Sequence, residues 1–162
     1  MQQVEKYFNS EKSESLLFIA IGIAALALSA YFFIKLKQIF YNGMAFPLIF
    51  IALIQITVGS IVWLRSPKDI HRMNQIIQKD TPKIKTEEIP RMNKVMKNFA
   101  LYRWIEIVLI IMGLALFVIF PPISIWKGIG TGLFIQAGLM LLLDFFAESR
   151  AKIYLAFLNS LL

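Results

Sequence analysis

Two carboxylates stand in apolar surroundings, Glu106 and Asp144. An ionisable group inside a membrane segment is a functional hypothesis by default, because burying its charge in hydrocarbon is costly. The chemistry on offer is binding of a proton or a cation. Arg65 and Arg103 fall at the same level of the sequence pattern, and Arg103 and Glu106 are three residues apart, so they share a helix face. The competing expectation is therefore an ion-pair network that fixes helix depth, and the shallow placement of both carboxylates favours it. Gln55, Thr57 and Ser60 in one apolar run and Gln136 in another could line a polar path. More often such side chains hydrogen-bond across helices. Gln136 and Asp144, eight apart, are expected near one face.

Other chemistry is excluded by composition. There is no Cys, so disulfides, thiolate catalysis and Cys-ligated iron–sulfur or zinc sites are ruled out. A single His, His71, leaves no His pair for a metal or a haem and reads as a surface residue. Lys127-Gly128-Ile129-Gly130-Thr131-Gly132 looks like a phosphate loop but lacks the Lys-Ser/Thr after the last glycine. Gly128, Gly132 and Gly138, with Ala20, Ala24 and Ala27, read instead as close-packing positions between helices. No catalytic, cofactor or metal residue is assigned, and the chain is expected not to be an enzyme. A lipid-modifying enzyme would need a nucleophile or metal that is not apparent.

What must position these residues is a membrane bundle. Of 162 residues 58% are apolar, against about 45–50% in soluble domains. Apolar runs cover 16–34, 43–64, 104–120 and 126–146, each near the roughly 20 residues a helix needs to cross the hydrocarbon. The residues are apolar on consecutive positions, which excludes the alternating pattern of barrel strands. The opening segment carries Glu5, Glu11 and Glu14 beside Lys6 and Lys12, unlike a cleaved signal. The fold class expected is all-α: an integral membrane four-helix up-down bundle in a single membrane domain, with cytoplasmic helical extensions.

The net charge is +7. Its cations gather in the N-terminal segment, in 65–103 and in the tail, which share one side of a four-helix topology. The positive-inside rule makes that side cytoplasmic, with both termini there, and a bacterial inner membrane is the expected location. The basic stretch 65–103 reads as helical. Ile70, Met73, Ile76 and Ile77 recur at helical spacing, Pro67 suits a helix start, and Asp80-Thr81-Pro82 marks a break. Thr86 is the expected N-cap of a third helix that runs unbroken into the membrane. Pro47 is expected to kink the second helix, held by its neighbours. The tail 147–162 reads as an amphipathic segment along the inner leaflet. Expected partners are anionic lipid headgroups at the basic loop and either copies of the chain or another membrane protein. No nucleic acid is expected, because aromatics for base stacking are confined to Phe99 and Tyr102 beside the membrane. The function expected is non-catalytic: a small polytopic inner-membrane protein acting through helix–helix interaction, as accessory subunit, homo-oligomer or immunity-type protein. The alternative is an oligomeric ion channel or small transporter with its polar path near Glu106 and Asp144.

Overall fold

In hydrocarbon every backbone N–H and C=O must find a partner within its own segment, which selects helices for long apolar runs. The computed structural model describes residues 2–162 and is all-α among them. Helix α1 spans Gln2–Tyr31 and continues through a π-helical turn, Phe32–Leu36. Helix α2 spans Ile39–Lys79, α3 spans Ile89–Ile119 after a π-helical turn at Ile84–Glu88, and α4 spans Ile125–Asn159. Each of the four is long and apolar enough to cross a membrane, and on that basis the chain is an integral membrane protein.

The connections are short, so the helices alternate in direction. Helix α1 packs along α2, and α3 along α4. The two hairpins meet where α2 and α4 lie side by side, while α1 touches α4 only sparsely. Helix α2 is thus the most enclosed and α3 stands at the edge. Of the most apolar stretch, 39% is buried in α2 and only 11% in α3.

The helices are much longer than a bilayer requires. The 41 residues of α2 extend about 60 Å at 1.5 Å per residue, twice the roughly 30 Å of hydrocarbon. The excess lies at one end, which holds both termini and most of the charge and is called the basic end below. There all four helices share a second core. Phe8, Met73, Ile84, Met92 and Leu158 are fully buried in it, and Tyr7 stacks on Tyr154 with ring centroids 4.2 Å apart.

Three sequence expectations change here. Pro67 does not start a helix; residues 65–79 are the last turns of α2. The backbone bond that Pro67 cannot make to the Trp63 carbonyl is lost, but side chains brace the turn: the Ser66 hydroxyl donates to the Val62 carbonyl (2.8 Å), and Arg65 pairs with Asp69 across the proline (3.1 Å). Thr86 is not an N-cap, because helical structure already begins at Pro82 and Thr86 lies inside the π-turn. The expected break at Asp80-Thr81 is present. The tail does not lie along a leaflet: residues 147–159 continue α4 and bury Ala151, Tyr154 and Leu158 against α1. The N-terminal segment is part of that core, with Val4, Tyr7, Phe8 and Ser15 buried along one face of α1. As expected, α3 then runs unbroken from Ile89 to Ile119.

Close approach is set by glycines. A Cβ on Gly128 would overlap the Phe40 carbonyl oxygen, and one on Gly132 would sit 2.6 Å from both the Met44 carbonyl oxygen and the Pro47 ring, so these two seat α4 on α2. A Cβ on Gly113 or on Gly130 would sit 2.7 or 2.6 Å from the other's carbonyl oxygen, so this pair seats α3 on α4. Gly138 does not serve this purpose; nothing lies within 4 Å of its Cβ position. On α1 the expected alanines are exposed, and the packed face is Ser15, Gly22, Ala25 and Ser29. The expected alanines lie about 180° around the helix from the packed face, because α1 carries small residues on both of these faces.

Candidate functional site

The polar side chains within the apolar stretches separate into distinct places. Gln55 and Gln136 meet between α2 and α4, where the Gln136 Nε2 amide donates to Gln55 Oε1 at 2.7 Å and both residues are almost wholly buried. Glu106 and Asp144 meet between α3 and α4, their carboxyls within hydrogen-bonding reach. Glu106 is 2% exposed, and neither of its oxygens receives a donor from any described group. Such a carboxyl–carboxyl contact becomes a hydrogen bond only when a proton lies between the two. Asp144 also opens onto a groove of about 460 Å³ between α3 and α4, lined by Phe99, Ile107, Gly138 and Phe145.

Gln136 and Asp144 are therefore not on one face. Eight residues advance a helix by about 80°, which turns Gln136 toward α2 and Asp144 toward α3. Thr57 points away from the bundle and its hydroxyl donates to the Leu53 carbonyl (2.8 Å). Ser60 is half-buried. These residues line no common path in one chain.

The arginines sit elsewhere than expected. Arg65 binds Glu11 (3.0 Å) and Asp69, and Arg103 binds Glu148 (2.8 Å), which also receives Lys152 (2.7 Å). Neither neutralises Glu106 or Asp144. Arg72 and Arg91 converge on Glu88, and Arg150 binds Glu14. All five arginines are thus held in ion pairs at the basic end, and the planar guanidinium suits such two-oxygen contacts better than an ammonium does. The basic loop meets its surroundings chiefly through lysines, among them Lys68, Lys85 and Lys94, which are exposed.

Glu88 is the residue that sequence reasoning missed. Two residues after Thr86, its sequence position puts it with Glu87 in the first turn of the expected third helix, where the helix dipole favours an anion. Instead it is fully buried and accepts from Arg72 (2.6 Å), Arg91 (2.6 and 3.0 Å) and the Tyr154 hydroxyl (3.2 Å). The only local signal was Arg91 three residues on; the other two donors come from α2 and α4. Burial pushes its carboxyl upward, but the hydrogen bonds and charge of Arg91, then Arg72, outweigh this and hold it below the usual carboxylate range. Burial is also what raises the Tyr7 and Tyr154 phenols.

A carboxyl that ionises more readily when folded adds stability at pH values above its unfolded pKa of about 4.3, and this stability is lost as pH falls through the lower, folded value. The basic end should therefore weaken as pH drops below about 4, and this acid sensitivity should be reduced in Glu88→Gln. Thermal unfolding in mild detergent across pH, wild type against variant, checks this. An equally steep acid limb in the variant would contradict it.

The Gln55–Gln136 bond has a separate signature. Either Gln55→Leu or Gln136→Leu strands a buried amide and should cost about 0.6–2 kcal/mol. The double leucine variant removes both partners and should recover most of that loss. A double-mutant cycle on unfolding reads the difference, and additive losses would show the pair to be uncoupled.

Among the described residues, no group of three or more His, Asp or Glu side chains is placed to hold a metal ion. Comparison with protein-family models, curated proteins and solved structures returns no match to this chain. What fold and site define is a class: an integral membrane four-helix bundle with an ion-paired helical core at its basic end.

Proposed function

We propose that this chain is a non-catalytic polytopic membrane protein that works through helix–helix association, as an accessory subunit, a homo-oligomer or an immunity-type protein. The observation that carries this reading is the exposure of α3. Its apolar stretch meets the bundle along one line, through Glu106 and Gly113, and the opposite stripe of Trp104, Ile111 and Val118 is 61–72% exposed. Those three residues repeat every seven positions, the spacing that presents one seam to a partner helix. The separation of the polar pairs argues in the same direction, because one chain offers no continuous polar route. The basic end faces the cytoplasm of a bacterial inner membrane in this reading, following the positive-inside rule. Its exposed lysines contact anionic headgroups.

A second reading, an oligomeric channel or small transporter, rests on Glu106 and Asp144. They face each other without a cation, although arginines lie within two turns on the same helices. Native mass spectrometry from nanodiscs and flux into proteoliposomes separate the two readings. Association requires a particle heavier than one chain, or a partner retained with it. Flux that is abolished in Glu106→Gln or Asp144→Asn would establish the second reading; flux absent in wild type would remove it.

A further inference from the structure

Helices α1 and α4 diverge at the level where the apolar stretches give way to charge, leaving a cleft of about 670 Å³. They close again above it, where Tyr7 and Phe8 pack on Tyr154. The lining changes character along the cleft. Its membrane-ward wall is Leu17, Leu143 and Phe146. Ser13, Ser10 and Asn9 follow on α1, with the Arg150–Glu14 pair across the gap, and Lys6 lies at the far end. From Leu17 to Lys6 is eleven residues of helix, about 16 Å. That span covers the passage from acyl chain through glycerol to headgroup, since the interfacial zone on each side of a bilayer is about 5–7 Å deep.

We propose that this cleft holds one anionic phospholipid per chain, its acyl chain against Leu17, Leu143 and Phe146 and its phosphate between Arg150 and Lys6. Charge selects the ligand. Two cations against one carboxylate leave a single positive charge, which one phosphodiester neutralises. The hydroxyls of Ser10 and Ser13 and the amide of Asn9 offer donors and acceptors to a polyol headgroup. Lys6 is exposed and its long stem allows the ammonium to bend back toward the phosphate level. This is a site distinct from the basic loop: it is an open groove built by α1 and α4 with an apolar wall beside its charged end, whereas the loop lysines meet a lipid surface.

The test uses the full chain in nanodiscs of equal phosphatidylglycerol and phosphatidylcholine, with the lipid retained after release counted by native mass spectrometry. One retained phosphatidylglycerol per chain is expected. Lys6→Gln should weaken retention about fivefold, the effect of one cation near a lipid phosphate. Ser13→Trp, which places a large ring in the cleft from an exposed position, should abolish it. Lys35→Gln, exposed at the opposite end of the bundle, should leave it unchanged. Glycerol phosphate added in solution should not displace the lipid, because it lacks the acyl chain. Equal retention of phosphatidylcholine, undiminished retention in both Lys6→Gln and Ser13→Trp, or displacement by glycerol phosphate would each overturn the proposal, the last by placing a soluble phosphate ester in the cleft instead.

Discussion

Glu88→Ala is expected to destabilise the basic end by about 3–5 kcal/mol, the loss that follows when one partner of a buried ion pair is removed and the other stays. Glu88 has no exposed surface, and it joins α2, α3 and α4 through Arg72, Arg91 and Tyr154. Alanine would leave two guanidinium groups facing each other and a buried phenol without an acceptor. Arg72 and Arg91 keep some contact with solvent, with side chains 37% and 25% exposed, which places the expected loss toward the lower end of that range. The Tyr7–Tyr154 stack reports the outcome, because near-ultraviolet dichroism of stacked tyrosines vanishes when the basic end loosens. The apolar stretches should stay helical under the same conditions, since their backbone bonds have no competitor in lipid. A loss below about 1 kcal/mol would mean that the two arginines find other acceptors and that Glu88 is not the junction of this core.

Two glycines on α4 should respond in opposite directions. Gly128→Val puts a branched side chain where a Cβ alone would overlap the Phe40 carbonyl oxygen. Backbone cannot move aside as a flexible side chain can, so α2 and α4 must separate, and the Gln55–Gln136 bond two turns further on is stretched with them. Overpacking of this kind costs about 1–3 kcal/mol and sometimes more; at a backbone-on-backbone contact the upper end or beyond is expected. Gly138→Ala meets nothing within 4 Å and should stabilise α4 by about 0.5–1 kcal/mol, the helix preference of alanine over glycine. Thermal loss of helical dichroism in nanodiscs gives both values. Similar melting of the two variants would contradict the packing described here.

The fold class was legible because it depends only on runs of consecutive apolar residues, and lipid leaves such runs one backbone solution. Helix phase was harder to read. Ala20, Ala24 and Ala27 compete with Gly22, Ala25 and Ser29 for the packed face of α1, and nothing within α1 says which set meets α2. Proline was misleading at Pro67, where Ser66 and the Arg65–Asp69 bridge carry the helix across. The apolar face of the N-terminal segment, Val4, Tyr7 and Phe8, was visible at helical spacing but lay among charges that drew attention to topology instead. Of the polar site residues, each was visible but few of their partners were. Gln55 and Gln136 are 81 positions apart, Arg103 and Glu148 are 45 apart, and Arg65 and Glu11 are 54 apart. Sequence spacing assigns neighbours only within one helix, so it paired Arg103 with Glu106 and placed Glu88 at a helix start without its partners on α2 and α4.

The exposed stripe of α3 is the surface on which the functional account depends, and the absence of cysteine allows it to be probed without background. Single cysteines at Ile111 and Val118, with Phe50 on α2 as an exposed control, can be crosslinked in native membranes with a short bifunctional thiol reagent that also reaches lysine. Association through α3 predicts a discrete adduct, either to a second copy or to one partner band, from Ile111→Cys and Val118→Cys but not from Phe50→Cys. Uniform absence of adducts from both α3 positions, with the chain migrating alone, would contradict the account and leave α3 facing only lipid.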